Sequence, residues 1–266
     1  MRAFIETTIL VDLLLKRKSR RSAVKVALSK FSETLLPQYA IKEMKAGALF
    51  ACVWLHNKLV TTDSIPDAIQ AVHAMSRTPR RYLVSTALEA WAVAEESIAS
   101  KSYLPNQVVT PAAREKLRRQ EMINLIRSQI MLGWRRRRKS FTKVVSPLTC
   151  YVEDELILVG ERIETGKIKC AHEPCCLKEQ FFDKIEDTKT LMAECAKGDR
   201  AEDKKRYSAL RHIARTPKRE IDSDMCRSLG DAVFALQSPA DATIVTTNMK
   251  DIAPLAGALG KDATRI

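Results

Sequence analysis

Two short apolar segments at opposite ends of the chain are each followed by polar and acidic side chains. The first, at residues 2–6, ends in Glu6 and leads into two threonines. The second, at residues 242–247, leads through a Thr-Thr-Asn turn to Asp251. Apolar runs of this length are typical of buried strands, and α/β folds place ligand sites at the carboxyl ends of parallel strands. The pattern therefore predicts a single site built from both ends of the sequence.

Two further acids can join this site. Glu43 lies in the first turns of a predicted helix, and Asp231 directly follows Gly230, which permits close packing, in the helix before the last predicted strand. Carboxylates that lie close together repel one another and stay ionised only beside a compensating cation. Mg²⁺ and Mn²⁺ suit sites made of oxygen ligands, and such ions activate water and stabilise charge on a phosphodiester. Judged by spacing alone, such acids are more often hydrated surface residues than ligands of a metal ion.

The elements that must position these acids are mostly helical. Apolar residues recur at spacings of three and four between Ile41 and Leu55, which is a helical stripe. The same patterns predict further helices at 7–15, 22–32, 65–75, 80–101, 111–132, 177–196, 224–238 and 252–258, an extended segment at 34–40, and two or three short strands within 143–170. The order begins strand–helix and ends helix–strand–helix. It indicates an α/β sheet that is completed late in the chain, after an insertion.

The charge of the chain restricts the classes of partner. The 45 lysines and arginines outnumber the 32 acids by 13, and the pI is near 9.5. This excess favours polyanions, with nucleic acid first and an anionic membrane surface second. No apolar run approaches the roughly 20 residues that span a bilayer, and the start of the chain lacks the order of a signal peptide. With seven cysteines, an odd number, we predict a cytoplasmic protein with free thiols and no membrane partner.

Three segments resemble the PIN-domain (PIN-like) ribonuclease family, which is related to toxin–antitoxin nucleases. FIETTILVDLL resembles the opening of these proteins, where an Asp-Thr-Ser or Asp-Thr-Asn triplet ends the first strand. LPQYAIKEMKAG resembles their second acidic segment, and LGDAVFALQSPADATIVTTNMKDI resembles their C-terminal half. The three segments also occur in the family's order, and they cover about residues 1–60 and 222–260.

The resemblance implies a three-layer α/β/α fold with a central, mainly parallel sheet. The core would comprise residues 1–139 and 201–266, and residues 140–200 would be a helical and β-containing insertion. The resemblance also implies a set of site residues: catalytic acids that ligate metal directly or through water (Glu6, Glu43, Asp231, Asp251) and polar groups that orient the substrate or ligands (Thr8, Thr247, Asn248). Position 6 departs from the family, which usually has Asp there. The extra methylene displaces the carboxylate, and this puts the strength of catalysis in question.

The implied function is a metal-dependent endoribonuclease that hydrolyses RNA phosphodiester bonds with Mg²⁺ or Mn²⁺, as a toxin or an RNA-processing enzyme. By family analogy its partners are RNA, an antitoxin or other protein, and a second copy in a homodimer. Two alternatives stay open. In the first, which rests on Glu6, the chain is a catalytically inactive PIN-like RNA-binding or protein-interaction module. In the second, which rests on the basic segment at 111–139, the chain is a DNA-binding regulator.

Basic side chains are concentrated in two places. Residues 114–143 carry eleven lysines and arginines against two glutamates, a local excess of nine. Trp134 precedes four consecutive arginines there, and it can stack on an unpaired base or pack into the core. The basic turn at 16–21 can guide the substrate backbone or simply be solvated. The predicted nucleic-acid-binding residues in these segments are Arg17, Arg20, Arg135, Arg136, Arg137 and Arg138.

A cysteine-rich turn has the ligand types of a zinc site. The candidate ligands are Cys170, His172, Cys175 and Cys176, with Cys150 or Cys195 as a further donor. No second paired motif stands at the usual distance. We therefore favour the alternative, a turn with buried thiols.

Overall fold

The computed structural model describes residues 1–77, 83–99, 110–151, 155–166, 175–216 and 221–266. Its strands are β1 (Arg2–Ile5), β2 (Glu33–Pro37), β3 (Lys143–Val145), β4 (Ile157–Val159), β5 (Arg162–Glu164), β6 (Ala242–Thr246) and β7 (Ala263–Arg265). Five of them form one parallel sheet in the order β3-β2-β1-β6-β7, and β4 and β5 form a separate antiparallel pair. The predicted α/β class with a parallel sheet is confirmed.

The helices account for most of the rest of the described chain. They are α1 (Thr7–Leu15), α2 (Lys18–Leu28), α3 (Gln38–Met44), α4 (Phe50–Thr61), α5 (Ile65–Met75), α6 (Val84–Ala99), α7 (Pro111–Arg136), α8 (Cys176–Asp183), α9 (Ile185–Ala196), α10 (Ala201–Arg215), α11 (Ser223–Ser228), α12 (Gly230–Gln237) and α13 (Met249–Ala258). A π-helical turn at Lys45–Leu49 joins α3 to α4. None of the helices within the described residues combines the length and hydropathy that a bilayer span requires.

The central strands are apolar throughout because helices cover the sheet. Ala3, Phe4 and Ile5 of β1 have no solvent exposure, and all five residues of β6 are buried. β1 pairs with β6 in parallel from Arg2 opposite Ala242 to Ile5 opposite Val245. This register brings the carboxyl ends of the two strands side by side, and a three-layer α/β/α arrangement is consistent with it.

The strand order creates a switch point between β1 and β6. From β1 the chain passes to β2 and β3 on one side of the sheet, and it later returns to β6 and β7 on the other. Ligands of open α/β sheets bind in the crevice at such a point, beyond the carboxyl ends of the strands. The backbone N–H of Glu6 donates to the carbonyl of Val245 at 3.1 Å, which closes β1 against β6 at this edge.

Several elements differ from the sequence predictions. β7 was not predicted, because its three residues carry no periodic signal and are stabilised by pairing with β6. β3 belongs to the main sheet although it lies within 140–200, so this segment begins inside the core. The helices predicted at 177–196 and 224–238 are each two helices. Of the helix predicted at 80–101, residues 80–82 and 100–101 lie outside the described residues, as does part of the predicted strand region at 143–170.

Candidate functional site

Glu6 links three elements at the switch point. It follows β1, and its side chain is the N-terminal cap of α1. Its Oε2 accepts hydrogen bonds from the backbone N–H of Thr8 at 3.0 Å, from the Thr8 hydroxyl, and from the hydroxyl of Thr246 at 3.0 Å. The residue is only 4% exposed. The carboxylate is thus held in one position by donors from α1 and β6.

Glu43 approaches the same crevice from α3. Its Oε2 accepts a hydrogen bond from the hydroxyl of Thr7. Its Oε1 faces Gly230, where an added Cβ would lie 3.2 Å from this oxygen and 3.4 Å from the hydroxyl oxygen of Tyr39. Because position 230 has no side chain, α12 can approach α3 closely. The close packing predicted for Gly230 is confirmed, and it brings the neighbouring Asp231 towards Glu43.

Asp231 and Asp251 are each paired with an arginine from α10 or from the turn before it. Nη2 of Arg206 donates to Oδ2 of Asp231. Nη1 of Arg200 donates to Oδ1 of Asp251 at 2.6 Å. The side-chain amide of Asn248 lies 3.5 Å from the other oxygen of Asp231, at the limit of a hydrogen bond. The two aspartate side chains are 23% and 20% exposed, so solvent reaches them, whereas Glu6 is 4% exposed.

The acids influence one another's ionisation. Burial and, to a smaller extent, the negative charges of Glu6 and Asp231 together raise the pKa of Glu43 to about 8, against the lowering effect of the Thr7 hydroxyl. Burial also raises the pKa of Glu6 and that of Asp231, and Arg206 opposes the shift at Asp231. Three of the four predicted acids are therefore close enough to interact electrostatically, and Asp251 is coupled to them through Asp231.

The donor chemistry fits a hard divalent cation. Glu6 and Glu43 form no salt bridge with any lysine or arginine in the described ranges, whereas Asp231 and Asp251 each have one. As the side chains stand, no three acidic, thiol or imidazole groups of the described residues form a ready-made metal-binding group. The acids converge on one crevice, and the two with no basic partner are the ones that a cation would neutralise.

The threonine that orients Glu6 at the end of β6 is not the one that the sequence predicted. Thr247 donates its backbone N–H to the hydroxyl of Thr8 at 3.1 Å. The hydroxyl that reaches Glu6 belongs to Thr246, which is fully buried and also accepts the backbone N–H of Asn248 at 2.7 Å. The sequence prediction placed Thr246 in the Thr-Thr-Asn turn but assigned the orienting role to Thr247.

The arginines at the site were also missed. Residues 197–206 are rich in charge, as a solvated segment would be, yet Asp203 is 7% and Arg206 3% exposed. Arg200, Asp203 and Arg206 follow one another at spacings of three residues, which places them on one face of the helical segment. This alternation of basic and acidic residues was the feature of the sequence from which the network could have been predicted.

Trp134 packs in the core, as one of its two interpretations predicted. The residue is 1% exposed, and the guanidinium carbon of Arg137 lies 3.8 Å from the centroid of its ring. Arg137 is itself 6% exposed and donates to the Trp134 carbonyl, so it is not presented to a nucleic acid as predicted. The neighbouring arginines at 135, 136 and 138 are exposed.

The exposed arginines at 135, 136 and 138 lie near the amino-terminal ends of the strands, whereas the acids lie near the carboxyl ends. The backbone N–H of Phe141 bonds to the carbonyl of Arg138, and Thr142 bonds to Thr34 near the start of β2. In a parallel sheet all strands start at one end of the sheet and finish at the other. A nucleic acid bound at this run would therefore contact a different side of the molecule from the acidic crevice.

Residues 16–21, predicted to be a basic turn, instead include the first residues of α2, and three of their basic side chains form ion pairs (Lys16, Arg17 and Arg20). Arg20 forms an ion pair with Asp12 at 2.6 Å and a hydrogen bond with the carbonyl of Ile266 at 3.1 Å. Asp12 is only 8% exposed, and its carboxylate lies against the Arg20 side chain, which is 37% exposed. Arg17 is exposed and lies 3.4 Å from Glu96.

The proposed zinc ligands fall only partly within the described residues. Cys170 and His172 lie outside them. Cys175 and Cys176 are buried, and the Sγ atoms of Cys176 and Cys150 are 3.0 Å apart. Of the two candidates for a further donor, Cys150 is therefore the neighbour of Cys176, whereas Cys195 lies against Arg206. The buried thiols of Cys175 and Cys176 agree with the favoured prediction, and zinc binding stays the less favoured alternative.

The raised pKa of Glu43 predicts a loss of stability with rising pH in the metal-free protein. Its pKa in the folded chain, about 8, lies above the usual 4.5. The group therefore contributes stability that is complete below about pH 4.5 and is lost as the pH rises through about 8. Between pH 5 and pH 8.5 we expect a loss on the order of 4 kcal/mol, or roughly 8–16 °C in melting temperature.

Thermal melts between pH 5 and pH 8.5 in a chelator, followed by circular dichroism, measure this effect. Glu43→Gln should flatten the profile because it removes the titrating group. A wild-type melting temperature that stays level or rises over this range would contradict the assignment.

The site thus consists of four acids from four different segments, two of which carry arginine partners. Searches with this sequence and structure found no matching family model, and no match among the curated proteins or the solved structures. The interpretation of the site therefore rests on the residues, their contacts and their position in the sheet.

Proposed function

We propose that the chain is a metal-dependent endoribonuclease with a PIN-like fold. The observation that carries this proposal is the convergence of Glu6, Glu43, Asp231 and Asp251 at the switch point of a parallel sheet. These acids come from positions that are up to 245 residues apart in the sequence. Carboxylates that only hydrate a surface have no reason to meet in a crevice between two buried strands.

The fold-level features agree with the resemblance. The sheet is parallel, its two central strands carry the first and last acidic segments, and α3 carries the second. These segments are the three that resemble PIN-domain nucleases, in the same order. The likeness supports the fold and the location of the site, and the chemistry is argued from the residues themselves.

Each side chain has a specific role in the proposed reaction. The chemistry that a bound Mg²⁺ or Mn²⁺ supplies is the activation of water and the stabilisation of charge on the phosphodiester. Glu6 and Glu43 would hold the ion, and the hydroxyls of Thr7, Thr8 and Thr246 orient these two carboxylates through the hydrogen bonds described above. Asp231 and Asp251 border the crevice where the phosphodiester would enter.

RNA is the proposed substrate because the chain is strongly basic and exposed arginines lie outside the crevice. A net charge of +13 raises the affinity for any polyanion and makes it depend on salt. The choice of RNA over DNA, and the association with an antitoxin or with a second copy, rest on the family analogy alone.

Incubation of labelled single-stranded and structured RNA with the purified protein tests the proposal. We expect cleavage in Mg²⁺ or Mn²⁺ and none in the presence of a chelator, since the proposed ion would supply both the activated water and the stabilisation of charge on the phosphodiester. Glu6→Gln, which removes a proposed ligand of the ion and is purified in the same way, serves as the control for a contaminating ribonuclease, whose activity would survive the substitution.

Tight RNA binding without cleavage in either metal would contradict the proposal and favour a non-catalytic PIN-like module. Cleavage of single-stranded DNA at the same rate as RNA would retain the site and change the substrate. Chelator-resistant cleavage by both proteins would show that the activity belongs to a contaminant.

A further inference from the structure

A charged network from one helical segment completes the acidic site. Asp203 accepts two hydrogen bonds from Arg200, at 2.7 and 2.8 Å, and one from Arg206 at 3.2 Å. The remaining Nη atom of each arginine reaches an acid of the crevice, Asp251 or Asp231. Asp203 thus holds two guanidinium groups in fixed positions beside the proposed metal ligands.

The network has little room to rearrange at Arg206. This side chain is 4% exposed and is held between Asp203 and Asp231. Gly198 packs so closely on the carboxylate of Asp203 that no side chain fits at position 198. Arg200 is the more mobile of the two arginines, because its side chain is 30% exposed.

One donor of the network lacks a partner. Nε of Arg206 is buried and makes no hydrogen bond within the described residues. A buried N–H group without an acceptor costs stability unless a water or a ligand oxygen occupies the position. This donor is not part of the acidic cluster. The Cys195 thiol beside the same guanidinium group is a weak acceptor, so an oxygen atom of a bound phosphodiester would satisfy the donor better.

The four acids are therefore divided into two pairs. Asp231 and Asp251 are neutralised by arginines, whereas Glu6 and Glu43 are not. A cation bound to Asp231 or Asp251 would lie beside a guanidinium group and be repelled by it. Because Arg206 is buried and cross-linked by Asp203, it cannot withdraw from Asp231 without unpairing a buried charge.

We propose that Arg200 and Arg206 take the place of a second divalent cation, so that the site binds a single ion on Glu6 and Glu43. The two guanidinium groups then carry the positive charge that a second ion would otherwise bring to the phosphodiester, and Arg200 is the one accessible to it. This inference rests on the proposed function, because it assigns the composition of that same site.

A titration of the intact, metal-free protein with Mn²⁺, followed by the electron paramagnetic resonance signal of the free ion, tests the inference. We expect one ion per chain in the wild type. Arg200→Met should bind a second ion because Asp251 then lacks its guanidinium partner. Methionine is chosen because it retains much of the aliphatic part of the arginine side chain. Arg211→Met is the matched control, since Arg211 is an exposed arginine of the same helix outside the network, and it should bind one ion.

Two ions in the wild type, or the spin-coupled signal of a Mn²⁺ pair, would overturn the inference and leave the proposed nuclease function standing. An unchanged count of one ion in Arg200→Met would also overturn it, because the arginine then would not limit the site. No bound ion in any of the three proteins would instead overturn the proposed function, and the inference with it.

Discussion

Glu6→Gln is expected to lower the rate of RNA cleavage by roughly 10³-fold. The substitution keeps the size of the side chain and removes the charge that would hold the divalent cation. Loss of metal stabilisation of the phosphodiester is worth several kcal/mol, and each 1.36 kcal/mol corresponds to about a tenfold change in rate. The expected loss follows from these two magnitudes. Initial rates on a labelled RNA at saturating Mg²⁺ measure it directly.

Asp63→Asn provides the matched control for this experiment. It removes one carboxylate from an exposed turn between α4 and α5, and it should cleave at the wild-type rate. Glu6→Gln should also retain a cooperative melt, because the oxygen of glutamine can still accept the hydrogen bond from Thr8 that caps α1. Cleavage by Glu6→Gln within about threefold of the wild-type rate would exclude Glu6 from the site.

Glu6→Asp would test whether the position of the carboxylate matters as well as its charge, because it moves the charge without removing it. The aspartate restores the residue type of the resembling family, but it withdraws the carboxylate from the hydroxyls of Thr8 and Thr246. In this chain those two hydroxyls set the position of the acid. The longer side chain is thus matched to local hydrogen-bond donors, which gives the departure from the family a structural basis.

The sequence allowed prediction of the parts of the fold whose signals are local. β1 and β6 are short apolar runs, and α1 and α7 start close to the predicted residues, so the parallel sheet could be anticipated. β7 could not, because it is too short to have a pattern and depends on β6 for its hydrogen bonds. β3 was misassigned to an insertion for the same reason: membership of a sheet is decided by long-range pairing.

The acidic site was predicted more completely than its surroundings. Local patterns singled out the four acids, and the resemblance to a nuclease family favoured a shared site over hydrated surface positions. Arg200 and Arg206 come from a segment that is highly charged, and nothing in its composition distinguishes a solvated helix from one whose charges are buried against partners. Only the packing of α9 and α10 on the core decides between the two.

Trp134→Ala is expected to destabilise the protein by about 4 kcal/mol, a typical cost for removing a buried tryptophan. The ring is 1% exposed and lies beneath the guanidinium group of Arg137. Truncation leaves a cavity and also deprives a 6% exposed arginine of its stacking partner. For a chain of this size the melting temperature should fall by roughly 8–16 °C. Chemical denaturation in urea measures the free energy of unfolding independently.

Trp134→Phe discriminates between the core and the base-stacking interpretations. The indole N–H of Trp134 is buried and has no hydrogen-bond partner among the described residues, so phenylalanine loses no hydrogen bond and should cost about 1 kcal/mol. Its affinity for single-stranded RNA should equal that of the wild type, because a buried ring cannot reach a base. A tenfold weaker affinity in a fully folded Trp134→Phe protein would mean that this ring is exposed in the complex, and that the arginine run beside it opens when RNA binds.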